Sequence, residues 1–237
     1  MTDFALFDRR HYPTVSVRDG YRDWVGTYDG TVEDIMDLAL LDRIETVDWA
    51  AARRAADLGC GTGRTARWLA AHGVRDIDGV DLSPEMIEVA RASGHHRSVT
   101  VADVRDSGLP RNSYDLVVAG LVDEHLPSLV ELYGEAHRLS RAGAAFVVVG
   151  FHPFFIMASG MPTHFEADDR GPVAIETYVH LPSSHVAAAR AAGFVLEEMH
   201  EQVVDDRWIE RKPRWERHRG WPISFASVWR VDELIDG

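Results

Sequence analysis

The chain has 237 residues, 46% of them apolar, with a formal net charge of −13 and a single cysteine, Cys60. That length suits one well-cored α/β domain with elaborations, and one cysteine excludes an internal disulfide framework. No run of about 20 apolar residues is present to cross a bilayer, the acid-bearing start lacks a signal-peptide pattern, and so acidic a surface disfavours polyphosphate partners; a cytoplasmic protein with no membrane or nucleic-acid partner is expected.

In chain order, residues 1–50 read as an N-terminal cap. Within it TVEDIMDLALLDRIETV predicts an amphipathic helix with a Thr31/Asp34 capping pattern. Residues 51–151 alternate short β-branched runs with helical patterns. AADLGCGTGRTARWLA ends a small apolar run at Asp57, places glycines at 59, 61 and 63, and opens a helix. A strand follows over Ile77–Val80, ending at Asp81. A helix with Ser83 as N-cap, Pro84 in its first turn and Gly94 as its stop comes next. Strands are then expected ending near Asp103 and over Tyr114–Leu121, a helix over Pro127–Leu139 with Asp123 as a capping residue upstream, and a strand over Ala144–Phe151.

Runs apolar on both faces imply a parallel sheet covered by helices on both sides. Residues 152–181 show no clear period and read as a solvated, lid-like insertion. In 182–237, SHVAAARAAG is a helix stopped by Gly193, and FVLEEMHEQVV and ISFASVWRV are strands with no helix between them, an antiparallel edge pair. No linker is visible, so 1–237 is read as one domain.

Glycines let a backbone pass close to a ligand and open a helix whose N–H groups face it. A nicotinamide dinucleotide and S-adenosyl-L-methionine both use that design. The dinucleotide fingerprint fails when started at Gly59, because Arg64 holds its last position, but fits loosely from Gly61, with Asp81 at the spacing of a ribose contact. Charge favours the second ligand. Asp57 beside the turn would repel a diphosphate and suits an ammonium and a sulfonium.

With these motifs in order, the chain resembles the class I S-adenosylmethionine-dependent methyltransferases from about Arg54 to Val149. DLGCGTG resembles their first motif, GVDLSPEMIEVAR the second, VADV the adenine-binding segment, YDLVVAGL the fourth strand, and LSRAGAAFVVV the loop-then-strand ending, with Ala142-Gly143 replacing the usual Pro-Gly. The resemblance implies a Rossmann-like seven-stranded mixed sheet with S-adenosyl-L-methionine as cofactor. It also implies that Asp57 lies near the methionine ammonium, and that Gly59, Gly61 and Gly63 line the amino-acid portion. Asp81 would bind the ribose, Asp103 would accept from the adenine amine, and Leu82, Met86 and Val104 would flank the ring. Cys60 reads as inert filler in the turn.

Beyond these, the strand ends carry Glu124 and His125 in GLVDEHLP and His152 in GFHPFF as catalytic candidates. His125 is the expected general base, its free pKa near 6.5 predicting activity that rises through that pH. His164, Glu166, Asp168, Glu176, His180 and His185 lack tight ligand spacing, so no metal is expected; Tyr178 and His180 are candidate substrate contacts. The segment Asp205–Trp221 interleaves six bases with three tryptophans, but its own acids dilute the charge. The leading expectation is methyl transfer to an O, N or C atom of a small-molecule acceptor, with GMPTHF and HPFF as apolar walls. An RNA or protein methyltransferase, a nicotinamide-dependent oxidoreductase and a non-enzymatic cofactor-binding regulator are the alternatives.

Overall fold

The apolar runs become strands because their side chains point alternately to two buried faces. A computed structural model describes residues 2–231, so residues 232–237 of the C-terminal segment lie outside the described residues. Five strands, β1 (Arg54–Leu58), β2 (Asp76–Asp81), β3 (Ser98–Val101), β4 (Tyr114–Gly120) and β5 (Ser140–Phe151), run parallel. β6 (Phe194–Val203) and β7 (Pro222–Val231) complete a seven-stranded sheet ordered β6-β7-β5-β4-β1-β2-β3. β7 is antiparallel to both β5 and β6, which is the mixed sheet and antiparallel edge pair read from the sequence. Strand order reverses between β1 and β4, and such a switch point opens a crevice at the carboxyl ends of the strands.

Among the described residues, the α-helices longer than one turn are α1 (Val17–Trp24), α2 (Arg64–Ala71), α3 (Pro84–Ser93), α4 (Val130–Leu139), α5 (Pro153–Ser159), α6 (Pro182–Ala192) and α7 (Asp206–Arg211). On one face of the sheet Ala56, Leu58, Val117, Phe146 and Val148 pack against Leu132, Tyr133 and Ala136 of α4 and Ala188 of α6. On the other, Ala55, Ile77, Leu116, Val118 and Val147 pack against Ala66 and Leu69 of α2. Each of the larger side chains, the Val, Leu, Ile and Phe, contributes about 1.5–3 kcal/mol on burial. Truncating the fully buried Phe146 to Ala would cost about 3–5 kcal/mol. α3 has the expected ends: Ser83 Oγ accepts from Met86 N at 3.3 Å, and Gly94 adopts φ 73°.

Three expectations change. The helix predicted from Thr31 does not form: only the single turns Tyr28–Thr31 and Leu38–Leu41 are helical. The Arg64 guanidinium draws that segment inward, donating to Val32 O at 2.7 Å, Asp34 at 2.8 Å and Asp37 at 3.0 Å. Ile35, Met36, Leu38, Leu40 and Leu41 are all buried, so no one apolar face exists for a helix to present. α4 begins at Val130 rather than Pro127, after a 3₁₀ turn over Asp123–His125. Asp123 caps nothing there, its carboxylate lying 3.4 Å from His185 Nε2.

The insertion 152–181 is also more ordered than its sequence suggested. It holds α5, a hairpin of His164–Ala167 and Gly171–Ile175, and the short strand Tyr178–Val179. Thr14–Val15 pairs with the hairpin and Thr2–Asp3 with Tyr178–Val179, so cap and insertion join in shared sheets. Trp24, Phe165, Val173 and Ile175 form the apolar centre of that assembly. Elements this short show no readable period.

Candidate active site

The glycine turn leaves β1 with Gly59 N and Cys60 N both donating to Val80 O at 2.9 Å. Gly59, Gly61 and Gly63 take φ of 74°, 52° and 92°, a region that side chains with a Cβ disfavour. A Cβ built on Gly61 would meet nothing within 4 Å, so the turn faces open space. Asp81 braces it from β2: Oδ2 accepts from Gly61 N and Oδ1 from Ser83 N, each at 2.9 Å. Burial pushes the Asp81 carboxyl up, and these backbone N–H bonds oppose the shift. Burial, with Asp57 and Asp81 nearby, also pushes the Cys60 thiol well up, in keeping with an inert residue.

A cavity of about 360 Å³ opens above the turn. Of the expected cofactor residues, Gly59, Gly61, Asp81, Leu82, Asp103 and Val104 line it. Gly63, Met86 and Asp57 do not: Gly63 is the N-cap of α2, Met86 is fully buried, and the Asp57 carboxylate turns to His96 Nε2 at 3.2 Å. Asp103 carries a partner of its own, as Arg105 donates to it from Nε at 2.9 Å and Nη2 at 2.6 Å.

Among the catalytic candidates only His125 lines the cavity. Its Nδ1 lies 2.7 Å from Glu176 O and its Nε2 2.8 Å from Tyr21 Oη. A carbonyl can only accept, so Nδ1 carries the proton and Nε2 accepts from the tyrosine hydroxyl. Burial pushes the His125 pKa down to about 4, so the value near 6.5 expected from the sequence does not hold. Burial pushes the Tyr21 hydroxyl well above its ordinary value, with Tyr28, Glu124 and Asp81 adding to the shift.

Glu124 lies behind this wall, accepting from Thr163 Oγ1 at 3.3 Å. Burial, then the neighbouring Asp123, pushes its carboxyl well up. His152 faces elsewhere, capping α5 through Phe154 N at 3.2 Å and donating to Glu201 at 3.0 Å.

Tyr178 and the backbone of Glu176 come to the cavity from the insertion, and Tyr21 and Tyr28 from the cap. The sequence reading missed Tyr21 and Tyr28. Their signal is the aromatic stripe Tyr21, Trp24, Tyr28 at near-helical spacing, stacked and edge-on in the structure. His180 and His185 are buried rather than solvated, donating to Leu126 O at 2.7 Å and meeting Tyr133 Oη at 2.9 Å respectively. Among the described residues no three His, Cys, Asp or Glu side chains converge on a candidate metal position. The basic segment folds as α7 and a 3₁₀ turn, with Arg211 and Lys212 paired to Glu33 and Arg219 to Asp206 and Glu216. No helix among the described residues is long and apolar enough to cross a membrane.

A family model described as a methyltransferase domain matches residues 56–148. The chain is 27% identical over 159 residues to the biotin biosynthesis bifunctional protein BioHC of Saccharophagus degradans, covering 64% of this chain and 28% of that one. It is 28% identical over 172 residues to the N-demethylindolmycin N-methyltransferase of Streptomyces griseus, covering 63% of this chain and 70% of that one. Matches to three of the curated relatives span only 28%, 30% and 62% of those proteins' lengths. Among solved structures, an S-adenosylmethionine-dependent methyltransferase from Mesorhizobium loti superposes with a TM-score of 0.65 at 23% identity, over 81% of this chain and 96% of that one. Residues 56–148 thus carry a methyltransferase domain, and the chain shares the fold of an S-adenosylmethionine-dependent methyltransferase.

Proposed function

We propose that this protein transfers a methyl group from S-adenosyl-L-methionine to a small-molecule acceptor, with Tyr21 and His125 handling the acceptor's proton. One observation carries the reading. A single cavity is lined both by the ordered cofactor motif, Gly59 to Val104, and by a hydrogen-bonded Tyr21–His125 pair. The residues present fit the cofactor, since Gly61 leaves open space above the turn and Asp81 offers a carboxylate for hydroxyl donors. Gly59 and Gly61 would face its amino-acid portion, Asp81 its ribose, and Leu82, Asp103 and Val104 its adenine.

When bound, S-adenosyl-L-methionine supplies an electrophilic methyl group. The chain's own part is positioning and proton movement. Tyr21 Oη takes the acceptor's proton as its own passes to His125 Nε2. Glu176 O holds the opposite side of the ring and stabilises the imidazolium that forms. The cap and the insertion act together as a lid, since both contribute to the cavity wall. Glu124 and His152 serve as supporting residues outside it.

The site and one relative support a small-molecule acceptor. The Streptomyces griseus relative is named an N-demethylindolmycin N-methyltransferase. The internal pairing of the Arg/Trp-rich segment supports a small acceptor over RNA. The test is calorimetry followed by transfer of a labelled methyl group to fractionated extracts. Binding of S-adenosyl-L-methionine but not NAD, with label recovered in a low-molecular-weight fraction, is expected. Binding of NAD alone, or label recovered only in RNA or protein, would overturn the reading.

A further inference from the structure

Beneath the glycine turn lies a buried pair outside the cavity. Asp57 Oδ2 sits 3.2 Å from His96 Nε2, and both side chains are 1% exposed. A carboxylate accepts, so Nε2 carries the proton; the buried Nδ1 has no hydrogen-bond partner among the described residues. Backbone has been cleared for this ring. A Cβ at Gly79 would fall 2.8 Å from His96 Cδ2 and Nε2, and one at Gly63 would lie 3.3 Å from its Cε1. Arg97 N donates to Ile77 O at 2.7 Å and ties the loop that carries His96 to β2. A histidine buried with one nitrogen unpaired is costly for packing alone.

We infer that His96 is a positioning residue for the amino-acid end of the cofactor, holding the Asp57 carboxylate fixed beneath the turn whose Gly59 and Gly61 line the cavity. The inference rests on the cofactor reading above. Asp57 makes no direct wall of the cavity, so its influence passes through the turn and through its charge. In a low-dielectric interior that charge acts at longer range than in water. Without its donor, the buried carboxylate would rotate toward another partner, and its negative charge would no longer lie beneath the ammonium's place.

The experiment compares two ligands by calorimetry: S-adenosylhomocysteine, which has the ammonium, and 5′-methylthioadenosine, which lacks the amino-acid end. His96→Phe fills the same space without the donor and should weaken S-adenosylhomocysteine about tenfold, leaving 5′-methylthioadenosine unchanged. His96→Gln, whose amide N–H can donate to Asp57, should restore most of the affinity. His96→Phe combined with Asp57→Asn should bind no worse than Asp57→Asn alone. Equal losses for both ligands in a folded variant, or unchanged S-adenosylhomocysteine affinity, would overturn the inference. Should His96→Phe fail to fold, Asp57→Asn asks the same question: selective loss of S-adenosylhomocysteine supports the pair, and equal or no loss overturns it. Wild-type protein that binds neither ligand would sink the cofactor reading itself, and this inference with it.

Discussion

Tyr21 Oη lies 2.8 Å from His125 Nε2, although 104 residues separate them in the chain. Because His125 Nδ1–H donates to Glu176 O, Nε2 has a neutral lone pair that accepts from the tyrosine. The cap and the insertion therefore meet the core at one ring. Tyr21→Phe and His125→Ala should each lower turnover by about 10²-fold if the pair takes the acceptor's proton. S-adenosylhomocysteine affinity should stay within a factor of two or so, since the proposed cofactor contacts lie elsewhere. Kinetics and calorimetry on the same two variants check this. Full turnover in both would show an acceptor that needs no base.

The pH dependence follows from the same ring. His125 acts as a base only when neutral, and burial holds its pKa at about 4. Turnover limited by this group should be flat from about pH 6 upward and fall only as pH approaches 4, rather than titrating near 6.5. Stability follows with a signed trend. The unfolded chain takes up this proton near pH 6.5 and the folded one only near 4, so the contribution is full above 6.5 and declines as pH falls through that window. A kcat–pH profile whose acid limb disappears in His125→Ala would confirm the assignment. An acid limb near 6.5 in wild-type protein would contradict it.

Asp81 joins the turn to the proposed ribose contact. Its two oxygens accept from Gly61 N and Ser83 N, so Asp81→Ala removes both the brace and the ligand's acceptor. Affinity for S-adenosylhomocysteine should fall by about 1–3 kcal/mol, the range for a charge-assisted hydrogen bond. Asp81→Asn should keep one backbone bond and lose less. Calorimetry on both variants measures the difference, and equal affinities in wild type and Asp81→Ala would remove Asp81 from the site.

Local chemistry explains which parts of this molecule could be read from its sequence. Ser83, Pro84 and Gly94 bound α3 by contacts within a few residues, and the run Ala144–Phe151 is apolar on both faces wherever it folds. Both were legible for that reason. That Gly59, Gly61, Asp81 and Asp103 line one cavity was legible through their spacing. The Tyr21–His125 pair proposed to handle the proton was only half visible. His125 stands out at a strand end, but Tyr21 reaches it only because α1 docks on strands of the insertion. Asp57 turned to His96 because Gly79 leaves room for a ring from the loop after α3, a fit that spacing does not encode. The predicted Thr31–Val47 helix failed for a similar reason, since its acids are recruited by an arginine about thirty residues on.

That arginine gives the last prediction. Arg64 is buried at the start of α2, and its guanidinium bonds Val32 O, Asp34 and Asp37, fastening the cap segment to the sheet. Arg64→Leu would keep apolar volume but leave Asp37 buried without its cation. Removing one partner of such a pair costs about 3–5 kcal/mol. Burial already pushes the Asp37 carboxyl up to about 6, with Arg64 pulling against the shift. A carboxyl raised on folding adds most stability below its unfolded value near 3.8 and loses that contribution as pH rises through 6. Without Arg64 the folded value rises further, so the loss grows with pH. Chemical denaturation of wild type and Arg64→Leu should therefore differ modestly at pH 5, where Asp37 can protonate, and by several times more at pH 8. The cap should also loosen, seen as faster amide exchange over residues 32–41 than over β1, β4 and β5. A stability difference that is the same at both pH values would mean that Arg64 acts through packing rather than by neutralising Asp37.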